Sequence, residues 1–308
     1  MSNLHPSPEA EECAASVTPA PILQSLAARV SSLGALPIRR ALPLRERRLV
    51  GPWCFLDRYG PLSFSSEKPM DVAPHPHIGL QTVSWLLEGE IVHHDSIGSE
   101  ALVRPGELSL MTAGSGIAHT EETPQANSGK LNGVQLWVAL PDAARNGAPA
   151  FHHYRQLPVM EERGGLARII MGQDAGTNHF SPLIAADLTI HRNAVLEIPL
   201  DPSFEHALLV LEGEATLGDQ RLIPDTLYYL GQHRSALALG ATAGARCLLI
   251  GGTPLKEPVL MWWNFVARSN EELEAARRDW ESHQRFAEVK AYRGPRLDAP
   301  TFVPRPVR

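Results

Sequence analysis

Two short pairs of residues carry the chemistry that this sequence points to. His75 and His77 flank Pro76, and His119 and Glu121 flank Thr120. On an extended strand, residues i and i+2 project from the same face, so each pair can aim both side chains at one point. Strand pairing that joins the two pairs places three imidazoles and one carboxylate around a common centre. Three neutral histidines and a glutamate suit a divalent first-row metal, Fe, Mn, Co or Ni, rather than Mg or Ca. Four protein ligands leave about two positions of an octahedron open, and open positions are where chemistry happens. A lone His-x-His is weak evidence, because histidines often sit at strand ends. The second pair, and the turn residues between the two, make the metal centre the stronger reading.

Side chains held this way need short paired strands, and the intervening sequence supplies them. Leu80–Leu87 reads as a strand, Glu88-Gly89-Glu90 as a turn, Ile91–Asp95 as a strand and Ser96-Ile97-Gly98 as a turn. Glu100–Val103, a turn at Pro105-Gly106 and Leu108–Met111 follow, and Gly114 and Gly116 lead into His119. Gly133–Leu140 is a further strong strand. Short strands separated by Gly and Pro are the pattern of a sandwich or barrel, so the region is expected to be a small antiparallel β-barrel. His93 and His94 are adjacent on one strand, so only one of them faces the barrel interior.

The pattern then repeats. Beyond a flexible interval at Ala143–Ala150, Leu208–Leu211 with Glu212-Gly213-Glu214 echoes the stretch from Ser84 to Glu90, and Ile223–Leu227 echoes Arg104–Leu108. Matched turns imply a duplicated barrel. Superposing them sets Pro199 and Asp201 opposite His75 and His77, and His206 and His233 stand as isolated histidines. The second barrel is therefore expected to lack metal ligands. Four regions result: an N-terminal arm (1–36), a metal-binding barrel (37–142), a second barrel (143–266), and a helix with an extended tail (267–308). The arm is expected to be mobile, apart from a short helix over Ile22–Val30. The terminal helix opens on a capping box, Ser269 with Glu272, and shows an apolar stripe of Leu273, Ala276, Trp280 and Ala287.

Composition narrows the partners. Hydrophobic residues at 44%, charged residues at 20% and a net charge of −6 describe a globular chain without the excess of Lys and Arg that general nucleic-acid or membrane binding needs. Arg39, Arg40, Arg45, Arg47 and Arg48 are a local exception, read as a solvated face or a set of internal ion pairs. Cys13, Cys54 and Cys247 are widely spaced, which implies neither a disulfide framework nor a zinc ribbon and fits a reducing cytoplasm. No basic start precedes an apolar leader, and no run is long enough for a membrane span.

Longer motifs carry a resemblance. HPHxGxxT from His75 to Thr82, the LLEG and HDSxG turns, PGEL, MTAGxGIxHTE from Met111 to Glu121, and PLKEPV from Pro254 to Val259 together resemble the pirin family of bicupins. The resemblance covers roughly residues 37 to 290. It implies an all-β fold of two tandem, jelly-roll-like cupin barrels with one mononuclear metal in the first, usually iron, with Mn, Co, Ni, Cu or Zn as alternatives. The family's ligands fall on His75, His77, His119 and Glu121. His93 is the histidine that faces inward, within reach of a ligand or a substrate oxygen. Gln81 stands where most pirins carry Glu, which alters the shell behind the ligands.

Some pirins resemble quercetin 2,3-dioxygenase, which opens a flavonol with O2 and releases carbon monoxide. The resemblance thus implies a small aromatic hydroxy substrate. Glu121, a carboxylate beside an open metal position, is then either a ligand alone or also the base that takes the substrate's proton. Other pirins look like metal- and redox-dependent regulators that bind a transcription factor or a metabolic enzyme, and this remains the alternative. Trp262-Trp263 and the long Ala143–Gly172 interval depart from the best-known members, which implies an altered pocket. His152 and His153 are expected at the surface.

Overall fold

The computed structural model describes residues 8–15, 21–33, 36–65 and 68–304. Strand alternation explains how its layers stack. Along Leu80–Gly89, Val83, Trp85 and Leu87 turn to one apolar cluster while Leu86 turns to another. A strand buried on both faces needs a layer on each side.

On one side lies the rest of the first cupin domain. Leu80–Gly89 sits inside a seven-stranded sheet, between Leu108–Thr112 and Lys130–Ala139. A four-stranded sheet, in the order Asp71–His77, Ile117–Glu122, Ile91–Asp95 and Glu100–Val103, packs on it through Val72, Ile91 and Val103 against Ile38, Tyr59 and Leu86. On the other side lies the second cupin domain, built in the same way from a seven-stranded and a four-stranded sheet. The two large sheets meet in one core, where Val83, Trp85 and Leu136 join Leu209, Leu248 and Ile250. Buried polar groups are paired across it: Trp53 Nε1 donates to the Gly251 carbonyl over 2.9 Å and Trp85 Nε1 to Asp187 Oδ2 over 2.9 Å.

The N-terminal segment departs from its expected form. Residues of the anticipated Ile22–Val30 helix form two strands, Gln24–Ala27 and Arg29–Leu33. The first pairs with Thr226–Gly231 of the second domain, the second with Leu36–Leu42 of the first. Edge strands offer unpaired backbone groups along their whole length, whereas a short isolated helix is marginal in water. Glu11–Cys13 likewise pairs with Val259–Trp262, so the described parts of the arm are docked strands; residues 1–7, 16–20 and 34–35 lie outside the described set. The Arg cluster divides: Arg40 and Arg47 are buried, Arg39 and Arg48 make partly exposed ion pairs with Asp225 and Glu11, and Arg45 is exposed. Arg40 grips Asp57 through two bonds of 2.8 and 2.7 Å, and Arg47 lies 3.6 Å over the Tyr229 ring.

The α-helix spans Asn270–Glu281, with Ser269 Oγ accepting from Glu272 N and the Glu272 carboxylate accepting from Arg268 N. Leu273, Ala276 and Trp280 are buried as the stripe requires, but Ala287 falls beyond the helix end and is exposed. His283 and Arg285 take left-handed backbone conformations there, which a continuing helix forbids. The buried stripe packs with Trp262, Trp263, Phe265, Ile78 and Ala118. The two tryptophans therefore dock the helix on the ligand-bearing strands. No helix among the described residues is long and apolar enough to cross a membrane.

Candidate metal centre

Antiparallel pairing of Asp71–His77 with Ile117–Glu122 sets His119 opposite His75, and the next strand, Ile91–Asp95, sets Asp95 opposite His119 and His93 opposite Glu121. The two i, i+2 pairs thus share one face. His75, His77 and His119 converge, with one ring nitrogen from each lying within 4.8 Å of the others. All three are buried.

The outer ring nitrogens fix the inner ones. His75 Nδ1–H donates to the Ala73 carbonyl over 2.9 Å and His77 Nδ1–H to the Asn264 carbonyl over 3.0 Å. A neutral imidazole carries one N–H, so both rings present a bare Nε2 inward. His75 Nε2 is buried with no hydrogen-bond partner, and His77 Nε2 lies 3.1 Å from His119 Nε2. Burial pushes His75 down to about 3. Burial, then the neighbouring histidines, hold His77 and His119 well below their ordinary value. Neutral, converging imidazole nitrogens, with His75 Nε2 left without a hydrogen-bond partner, are the donor set that a first-row cation requires, so the residues present fit one.

Glu121 is buried on the same face but is not among the three converging groups. Its Oε1 accepts from Ser84 Oγ over 2.9 Å, and Ser84 Oγ also lies 2.8 Å from Gln135 Oε1, while Gln135 Nε2 is buried without a partner. One hydroxyl proton serves one acceptor, so Ser84 bonds both neighbours when Gln135 turns its NH2 toward the hydroxyl. Gln135 then braces Ser84, and Ser84 draws the carboxylate to the large sheet. For Gln135 the sequence contained a usable signal, a lone polar residue in the apolar run GVQLWVAL, whereas Ser84 shares LQTVSWLL with the polar Gln81 and Thr82 and is not marked out.

His93 does face inward. Its ring stacks on Phe151 at 4.2 Å, its Nε2 lies 3.1 Å from Asp95 Oδ2, and its Nδ1 lies 3.3 Å from His119 Nδ1. Both nitrogens are thereby engaged by protein groups. Asp95 Oδ1 accepts from the Ile97 and Ser99 amides over 3.1 and 2.8 Å. Burial by itself would raise the Asp95 carboxyl, but hydrogen bonds from His93 and Ser99 bring it below its ordinary value.

Gln81 does not stand behind the ligands. Three residues from Ser84, it lies on the opposite face of the strand, where its Nε2 donates to Thr112 Oγ1 over 3.0 Å and to the Asn178 carbonyl over 3.2 Å. Its partners belong to the interdomain side, which explains why an uncharged amide is accommodated there. His152 and His153 are half-buried on Ala150–Tyr154, which extends the first sheet and delivers Phe151 to His93. Asn264 and Phe151 reach the centre from distant sequence, and nothing in their local spacing marks them.

Comparison with known proteins agrees with this geometry. The Pirin profile matches residues 35–138 and that of the Pirin C-terminal cupin domain matches residues 185–287. A Pseudomonas aeruginosa protein provisionally named quercetin 2,3-dioxygenase is 44% identical over 285 residues, spanning 91% of this chain and 90% of its own. The chain belongs to the pirin family. This pirin is also 34% identical over 290 residues to a pirin-like protein of Caulobacter vibrioides, covering 91% of the one and 97% of the other. The crystal structure of quercetin 2,3-dioxygenase from Acinetobacter baumannii superposes with a TM-score of 0.88 at 41% identity, over 93% of this pirin and 97% of that chain. The two-cupin fold is thus the frame shared with these relatives.

Proposed function

We propose that this pirin holds one iron-type divalent ion at His75, His77, His119 and Glu121, and that it is a cytoplasmic dioxygenase cleaving a flavonol such as quercetin with O2. The observation that carries the metal centre is the set of three buried imidazoles converging within 4.8 Å, with His75 Nε2 left unpartnered. The names of the Pseudomonas and Acinetobacter relatives support the substrate class. A bound ion of this type supplies Lewis acidity and one-electron chemistry toward O2.

The chain's own residues do the rest. Ala73 and Asn264 hold two of the imidazoles in the inward-facing tautomer. Glu121, beside them, takes the proton of the flavonol hydroxyl, and the Ser84 hydroxyl keeps its carboxylate oriented between turnovers. Buried walls exclude water from the reacting groups, so positioning contributes much of the rate.

The test is metal analysis of protein purified without chelators, then anaerobic Fe(II) loading and addition of quercetin in air. Flavonol absorbance should fall only with Fe and O2 present, and His75→Ala with His119→Ala should abolish both metal and turnover. Stoichiometric metal with no turnover over a panel of flavonols would overturn the dioxygenase reading in favour of a metal-dependent regulator with a protein partner.

A further inference from the structure

His119 differs from the other two imidazoles of the triad in what holds its outer nitrogen. His75 and His77 donate to backbone carbonyls, which can only accept, so their tautomers are fixed locally. His119 Nδ1 instead faces another ring, His93 Nδ1 at 3.3 Å. A neutral imidazole nitrogen can donate or accept, so this contact by itself leaves the His119 tautomer open. The competing arrangement is available, because His119 Nε2 lies 3.1 Å from His77 Nε2, a bare acceptor. A proton there would make a good hydrogen bond and remove a metal donor.

We propose that Asp95 and His93 form a tautomer relay that keeps His119 Nε2 bare. The proposal rests on the metal-binding reading above. Asp95 Oδ1 is occupied by the Ile97 and Ser99 amides, which leaves Oδ2 to face His93 Nε2 at 3.1 Å. A carboxylate only accepts, so His93 carries its hydrogen on Nε2 and presents a lone pair at Nδ1. That lone pair needs a donor, and His119 is the ring that faces it. His119 therefore carries its hydrogen on Nδ1, and Nε2 is left free for a cation. Stacking of His93 on Phe151, at 4.2 Å with planes 9° apart, stops the ring from tilting out of the relay. Asp95 and His93 are positioning residues that act through His119.

Asp95→Asn reverses the relay with little change of shape. Oδ1 stays in place for the two amides, so the new NH2 sits where Oδ2 was and donates to His93 Nε2. His93 then carries its hydrogen on Nδ1 and donates to His119 Nδ1, which drives the His119 hydrogen onto Nε2.

The experiment uses the full chain, metal-free and 15N-labelled at histidine, with NMR near neutral pH to read each tautomer and a parallel titration with Co(II). Wild-type protein should show His119 protonated on Nδ1, and Asp95→Asn should show it protonated on Nε2, with Co(II) bound about tenfold or more weakly. An unchanged His119 tautomer, or Co(II) affinity within about twofold of wild type, would overturn the relay. Should Asp95→Asn fail to fold, His93→Phe preserves the stack on Phe151 while removing both nitrogens. His119 should then move its hydrogen to Nε2 and bond His77, and retention on Nδ1 would sink the proposal. The NMR comparison decides the relay without metal. Wild-type protein that takes up no Co(II) would overturn the metal-binding reading, while reversal of the tautomer would still uphold the relay.

Discussion

His77 Nδ1 donates to the backbone carbonyl of Asn264 over 3.0 Å, so a segment within the C-terminal cupin match, residues 185–287, orients a ligand in the first domain. The approach is close because Gly79 lacks a side chain. A Cβ there would stand 2.0 Å from the Val266 carbonyl oxygen, and Gly79 has a φ of +68° that other residues rarely adopt. Gly79→Ala is expected to cost more than about 2 kcal/mol in urea denaturation and to reduce metal occupancy, by displacing the strand that follows Asn264. Wild-type stability with full metal would mean that the strand shifts freely and that its carbonyl is dispensable.

Ser84 separates two roles for Glu121. Ser84→Ala removes the hydroxyl that orients the carboxylate but leaves the three imidazoles in place. Stability should fall by about 1–2 kcal/mol, and turnover per bound iron should fall by about tenfold. Weakened iron binding with unchanged turnover per iron would instead make Glu121 a ligand alone. Glu121→Gln sharpens the comparison: full metal content with no turnover supports the base.

Metal-free protein should lose stability in mild acid. Burial pushes His75 down to about 3 and His206, enclosed in the second domain with both ring nitrogens unpartnered, down to about 4. An unfolded histidine titrates near 6.5. Between these values the unfolded chain binds more protons than the native one, so stability is fully present above about pH 6.5 and is lost as pH falls toward 4 and then 3. At about pH 5 each histidine should account for about 2 kcal/mol. His77 and His119, also held well below their ordinary value, add to the loss. Urea midpoints at neutral and mildly acidic pH measure it, and His206→Leu should remove only the share of about 2 kcal/mol that His206 contributes. A midpoint that did not move with pH would contradict the burial of both rings in neutral form.

The Arg40–Asp57 pair links the first sheet to the centre. Arg40 lies 4.5 Å over Phe55, Phe55 stacks on Trp137 at 4.0 Å, and Trp137 meets His77 edge-on at 5.3 Å. Arg40→Met strands a buried carboxylate and should cost about 3–5 kcal/mol, whereas adding Asp57→Leu should recover most of it. A double variant no more stable than the single one would mean that the guanidinium acts through packing on Phe55, not through its charge.

Spacing within each strand was enough to determine the duplicated β fold and the inward pairs His75–His77 and His119–Glu121, because side-chain alternation on a strand is a local property. The turns at Glu88-Gly89-Glu90 and Ser96-Ile97-Gly98 were legible for the same reason: each depends on a few neighbouring residues. Tertiary structure alone decided which face of Leu80–Gly89 meets the metal centre, since the strand is apolar on both sides and alternation says only that Gln81 and Ser84 part company. It also decided that the N-terminal segment pairs as strands, because two free sheet edges, one at the next strand and one far along the chain, offered better hydrogen bonds than a short helix. Asn264 and Phe151 reached His77 and His93 through packing between distant segments, and the contacts that set a ligand's tautomer are a consequence of that packing.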